Sequence, residues 1–263
     1  MFFTLNSWEL ALLVAGILFG ATAIGLLAGR SLRRHSEALR EPFGVVQAAV
    51  LTLVGLLLAF TLAMAVTRYE ARRAAVVDDA NAIGTAYLRA QTLHEPMRSA
   101  SLRLYPTYAD ASIRLSSSVP GSTAARRAIA TESLIQRQLW RLAGQSLDAQ
   151  PVQSAPRLYV DSLNTMIDMQ TTRVAALNNR VPSAISLVVV IGAAAALALM
   201  AVYLAMFARG VVTVMLAAGL LTLLLFVTFD LDRPARGFIT VPDAPRVALR
   251  AGRELPPAAG TPR

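Results

Sequence analysis

The sequence predicts an all-α, polytopic membrane protein with four transmembrane helices and a helical domain built from extensions of the second and third spans. Three observations carry that expectation. Of 263 residues, 55% are hydrophobic and only 16% are charged, where soluble domains run nearer a quarter charged. Four stretches, 10–29, 43–67, 181–208 and 210–229, hold no charged side chain. Each is long enough, as a helix, to cross a hydrocarbon core about 30 Å thick. Between the second and third stretches, residues 68–180 show apolar positions at helical spacing and no strand alternation.

Residues 1–9 form an N-terminal tail ahead of the first span, 10–29. No basic residue precedes Arg30, so the positive n-region of a secretory signal is missing and the span is expected to be retained. A short loop, 30–42, leads to the second span, 43–67. Its helix is expected to continue to His94, because only Gly84 interrupts it before Pro96. Val76, Ala80, Ile83, Tyr87 and Ala90 give that continuation an apolar stripe.

The next helix covers 97–115 and is expected to be strained or broken at Pro106. A serine-rich loop at 116–122 follows, and Thr123 is the expected N-cap of a helix running to Asp148. Trp140, Leu134, Leu139 and Leu142 are its expected buried side. After a loop at 150–156, a helix over 157–180 sets Val160, Leu163, Ile167, Val174, Leu177 and Val181 on a near-heptad seam. Pro182 then kinks the junction with the third span, 181–208, which the fourth, 210–229, follows almost directly. The C-terminal tail, 230–263, is proline-rich and expected to be mostly disordered after 242.

Composition bounds the chemistry. There is no cysteine, which excludes a disulfide scaffold, a thiolate metal site and a cysteine nucleophile. His35 and His94 are the only histidines, and every basic residue is arginine, so no lysine Schiff base can form. No metal, nucleotide or nucleophile motif appears; the expectation is no cofactor and no enzyme. The net charge of +9 gathers around span ends, pointing to the lipid bilayer as partner and away from nucleic acid.

An even number of spans puts both termini and 68–180 on one side. Near the span ends that side carries Arg68, Arg72, Arg73, Arg173, Arg180, Arg233, Arg236 and Arg246. The other side carries Arg30, Arg33, Arg34, Arg40 and Arg209. The larger set is expected to be cytoplasmic.

Three groups of residues are candidates for function. Leu56, Phe60 and Met64 form an apolar stripe on the second span, read either as a constriction or as packing. Arg68, Arg72 and Arg73 at the end of that span, with Asp230, Asp232, Arg233 and Arg236 at the end of the fourth, form a charged vestibule or an interfacial pairing. Carboxylates at a helix C-terminus face the negative end of the macrodipole, so Asp230 or Asp232 is expected to pair with one of these arginines. Asp79 and Asn81, with Asp161, Asn164 and Asp168, supply a polar face in the helical domain. The part of it on 157–180 is expected to pair with Arg89 or Arg73 rather than to catalyse. Small-residue ladders, Gly16-xxx-Gly20 and Gly25-xxx-Gly29 in the first span, permit close helix packing within or between chains.

Taken together, four runs resemble the bacterial bestrophin-like proteins of unknown function. They are Leu57-Leu-Ala-Phe-Thr-Leu-Ala-Met-Ala-Val-Thr-Arg-Tyr-Glu-Ala-Arg-Arg73, Asp79-Ala-Asn-Ala-Ile-Gly-Thr-Ala-Tyr-Leu-Arg89, Leu163-Asn-Thr-Met-Ile-Asp168 and Asp230-Leu-Asp-Arg-Pro-Ala-Arg-Gly-Phe-Ile239. Asp79 and Thr165 stand where the resemblance leads one to expect glutamate. It implies a multi-pass protein of the bacterial inner membrane, with four spans, a long cytosolic helical region and both termini inside. Bestrophins proper are pentameric anion channels with an apolar neck on the second span, so the resemblance implies a homo-oligomer, anions as partners and Leu56, Phe60 and Met64 as the neck. The competing expectation is a non-conducting membrane scaffold or signalling protein that binds a partner through its helical domain.

Overall fold

The computed structural model describes residues 6–207, 210–233 and 237–241, with the backbone alone described at 34–40. Every regular element among these residues is helical. In chain order they are α1 (Ser7–Ser31), a 3-10 turn (Leu32–His35), α2 (Ser36–Ala90), α3 (Met97–Ser117), α4 (Thr123–Ala149), α5 (Ser154–Asn178), α6 (Ser183–Met206) and α7 (Val211–Leu231). The expected tail beyond 242 lies outside the described residues. Two compact units result: one from the residues up to Arg68 together with Arg180–Thr240, the other from Tyr69–Asn179.

The first unit contains four apolar helices, α1, α6, α7 and the first part of α2. Leu10, Val14 and Leu18 of α1, Val54 and Leu58 of α2, Val189, Val190, Ala193 and Leu197 of α6, and Ala218, Leu225 and Phe229 of α7 share one core. Glycine sets the α1–α6 approach. A Cβ at Gly25 would run into the Ala198 carbonyl oxygen, and one at Gly29 into that of Val202. Gly16 and Gly20 meet nothing within 4 Å. Only the second ladder therefore works inside the chain. Threonine hydroxyls donate back along their own helices, Thr61 to Leu57 O at 2.7 Å and Thr228 to Leu224 O at 2.7 Å. Such bonds satisfy a polar side chain where no water is at hand.

Local chemistry shifts several expected boundaries. The stretch 30–42, expected as a loop, is helical almost throughout, passing from the 3-10 turn into α2 with Pro42 inside the helix. α1 begins earlier than expected because the Glu9 carboxylate accepts the Asn6 N–H at 2.7 Å, satisfying a helix-start donor. Gly210 takes the left-handed conformation, φ +83°, that turns the chain into α7.

In the second unit, the later part of α2 packs with α3, α4 and α5 around Ile83, Ala86, Tyr105, Tyr108, Ile135, Leu139, Tyr159, Leu163 and Met166. α2 ends at Ala90 rather than at His94, and a turn carries the buried Leu93. α3 is not broken at Pro106; it runs through, with Tyr105 and Tyr108 both fully buried on either side. That burial outweighs the one hydrogen bond proline removes. The N-cap of α4 is Ser122, not Thr123: its Oγ accepts the Ala125 N–H at 3.1 Å.

Two expected seams are rotated. Trp140 and Leu134 are 45% and 49% exposed; Leu139 is buried as expected, and α4 buries Ala125, Ala128, Glu132, Ile135, Gln136 and Ala143 beside it. In α5 the buried line is Tyr159, Leu163, Met166, Gln170 and Arg173, leaving Ile167, Val174 and Leu177 half-buried. Polar residues hold those lines because each finds a partner. Finally, α5 and α6 are separate helices; residues 179–182 break the chain where a kink was expected. Proline at 182 disfavours helix in the residue before it.

Candidate functional site

The centre of the second unit is an ionic cluster to which all four of its helices contribute. Arg173 of α5 donates from Nη1 to Asp79 Oδ2 of α2 at 2.9 Å, and from Nη2 to Glu132 Oε1 of α4 at 2.8 Å. Its Nη1 also donates to Ser112 Oγ of α3. The other Glu132 oxygen accepts from Gln170 Nε2 at 3.0 Å. Arg173, Asp79 and Glu132 are each at most 1% exposed. Beside them, Gln136 Nε2 donates to the Tyr108 hydroxyl at 3.0 Å.

Burial raises the Glu132 carboxyl above the usual carboxylate range, and the Arg173 charge with the Gln170 hydrogen bond acts against the rise. The Tyr108 hydroxyl is pushed far upward, first by burial and then by the Glu132 and Asp79 charges. Two carboxylates with a guanidinium between them can hold helices in register or hold a proton. Among the described residues no group of three acidic or histidine side chains could hold a metal ion.

This arrangement divides the expected polar face. Asp79 points into the core, whereas Asn81, Asp161, Asn164 and Asp168 are exposed. Asp78, the neighbour of Asp79, joins Asn81, Thr85, Arg89, Asp161 and Thr165 in lining an open groove of about 410 Å³. The expected pairing is present: Arg89 Nη1 lies 3.0 Å from Asp161 Oδ2 and also donates to Leu158 O at 2.8 Å. With Asp161 71% exposed, that pair contributes little stability.

Glu132 and Arg173 were missed as partners. Each was legible as a charge standing on an apolar line, Glu132 between Ala128 and Ile135, Arg173 three residues after Gln170 and seven after Met166.

The expected vestibule residues differ in exposure. Arg72 is buried, while Arg73 faces outward and lies 3.8 Å from Glu70. Arg68 is half-buried, and Arg236 lies outside the described residues. Asp230, Asp232 and Arg233 are all buried. Asp230 is held by a backbone N–H and a hydroxyl. Its carboxylate accepts from the Ile239 N–H at 2.9 Å and the Ser7 hydroxyl at 3.3 Å. Gly237 permits that return of the chain, since a Cβ there would stand 2.8 Å from Asp230 O. Asp232 accepts the Val181 N–H through both oxygens, at 3.0 and 3.2 Å. Val181 immediately precedes the α6 N-cap, so the positive end of α6 offsets the negative end of α7.

On α2, Leu56 and Phe60 are 53% and 60% exposed and Met64 is half-buried. The opposite face, Val54, Leu58, Thr61 and Ala65, is buried.

A family model for the bestrophin-like domain matches residues 12–246. No curated protein matches the sequence. Among solved structures, the chain is similar to crystal structures of single-substitution variants of a bacterial bestrophin homologue from Klebsiella pneumoniae. One has a TM-score of 0.65 at 12% identity, covering 90% of this chain and 97% of the other. A second has 0.63 at 15% identity, covering 90% and 96%. A third has 0.63 at 13%, covering 92% and 95%.

Proposed function

The chain belongs to the bestrophin-like family, and from that premise we propose that it is a homo-oligomeric ion channel of the bacterial inner membrane with α2 facing the conduction path. Its spans are 10–29, 43–67, 181–208 and 210–229, and residues 68–180 stand outside the bilayer with both termini on the cytoplasmic side. The exposed Leu56 and Phe60 carry the reading. They lie four residues apart on one face of α2 whose opposite face is packed. A ring of copies sets that face at the axis, where apolar side chains make a constriction that gates by dewetting. Of the arginines that follow it, the half-buried Arg68 and the exposed Arg73 favour anions over cations at the mouth.

The test is flux of chloride and of potassium through liposomes containing the purified chain, with the particle mass measured in the same lipid. An oligomer that passes chloride, with Phe60→Ala changing the rate several-fold, supports the channel. A monomer that passes neither ion overturns it. The exposed Trp140 and Leu134 on α4 favour a second reading, a non-conducting scaffold that binds a partner through the helical domain. A stable complex captured by the full-length protein, without conductance, decides for it.

A further inference from the structure

The turn between α3 and α4 borders an open cavity that none of the foregoing uses. It measures about 300 Å³, within the range of small-ligand pockets, and Arg114, Ser117 and Ser118 of the α3 end face Ala124, Arg127 and Thr131 of α4 across it. Two features bear on what it can hold. Neither Arg114 nor Arg127 has a carboxylate within ion-pair distance among the described residues, whereas Arg73, Arg89, Arg98 and Arg173 each do. The frame is also built without them. Ser122 caps α4 through Ala125, and Arg126 braces the turn by donating to Gly121 O at 2.6 Å and Thr123 Oγ1 at 3.3 Å.

Ser117, Ser118 and Thr131 add hydroxyls to the wall, and Ala124 and Ala128 complete it. Ser118 Oγ donates to Arg114 O at 2.6 Å and Thr131 Oγ1 to Arg127 O at 3.0 Å, bonds that a rotation about one torsion exchanges for an external acceptor. Ala124 sits in the first turn of α4, where the helix presents its positive end.

We propose that this cavity is a binding site for a phosphate-type oxyanion, gripped by the Arg114 and Arg127 guanidinium groups. Guanidinium forks match tetrahedral oxyanions in charge and in paired hydrogen bonds, and gain most where no internal carboxylate competes. Two sources share this chemistry, a soluble phosphate and a lipid headgroup. The site stands apart from the conduction reading and survives or fails without it.

The test uses the full chain in phosphatidylcholine nanodiscs, titrated calorimetrically with inorganic phosphate. In a second arm, bound phosphatidylglycerol is counted by native mass spectrometry. Saturable binding in either arm, weakened at least tenfold by the double variant Arg114→Gln/Arg127→Gln, supports the proposal, and the responding arm identifies the source. The pair Arg137→Gln/Arg141→Gln removes the same charge from the exposed face of α4 outside the cavity and should leave affinity unchanged. No saturable binding in either arm, or equal loss in both double variants, overturns it. Because all four arginines are exposed, the folded fraction of each variant, read from its unfolding curve, should match the parent.

Discussion

Arg173 and Asp79, 94 positions apart in the chain, approach to 2.9 Å with each side chain 1% exposed. The bond ties α5 to α2, and the second guanidinium nitrogen ties both to Glu132 of α4. Removing one member strands the others in a medium that solvates them poorly. Arg173→Met should therefore destabilise the protein by about 3–5 kcal/mol. Replacing the whole set by apolar residues (Arg173→Met, Asp79→Leu, Glu132→Leu) should recover most of the loss. Chemical unfolding in micelles measures both. A single-variant cost near that of an exposed substitution would show that the cluster does not secure the helices.

Glu132 adds a pH dependence. Its folded-state carboxyl is raised above the ordinary value of 4.5, chiefly by burial, with Arg173 opposing and Asp79 reinforcing the rise. Tyr108 and Gln170 complete its polar surroundings. A raised acid favours the folded state while it is protonated. That contribution is fully present below about pH 4.5 and is lost as pH rises through the folded value. Glu132→Gln cannot titrate. Whatever its offset at pH 4.5, its stability relative to the parent should improve as pH rises above that value. A relative stability constant from pH 4.5 to 8 would contradict the shift.

How much of this was legible in the sequence follows from what each pattern measures. An uncharged stretch long enough to span lipid is a local property, and α1, α6 and α7 fall on theirs because in hydrocarbon the backbone has few alternatives to helix. The face a soluble helix buries is a tertiary property. Trp140 was expected on the buried side of α4 with Leu134, Leu139 and Leu142, yet it is 45% exposed, while Glu132 of the same helix reaches Arg173. Asp79 was grouped with Asn81 on a polar face, but helical positions two apart do not face the same way, and Asp79 had a buried partner on another helix that spacing cannot show. The same limit applied at Asp230, whose backbone partner, Ile239, depends on a tight return at Gly237.

The two glycine ladders of α1 make a controlled pair. A Cβ at Gly25 meets the backbone of Ala198 and the Ala201 side chain, so the helices must separate to admit it. Gly25→Ala should cost about 1–3 kcal/mol of stability, the usual range for overpacking. Gly16→Ala meets open space and should be neutral for the single chain. If Gly16→Ala instead lowers the particle mass in lipid, the outward ladder is a contact between copies.

On the proposed channel reading, the α2 faces separate folding from conduction. Leu58 is 5% exposed in the core with Val189 and Val190, and Leu58→Ala should cost about 2–5 kcal/mol through the cavity it leaves. Phe60, two positions on, is 60% exposed, so Phe60→Ala removes little intrachain packing and should cost less than about 1 kcal/mol. Its effect should appear in flux, because a shortened side chain widens an apolar constriction and eases its wetting. Flux of chloride per particle, measured beside the unfolding curve, reads both quantities from one preparation. A Phe60→Ala protein that unfolds like Leu58→Ala, or that conducts like the parent, would remove Phe60 from the conduction path and leave it a packing residue.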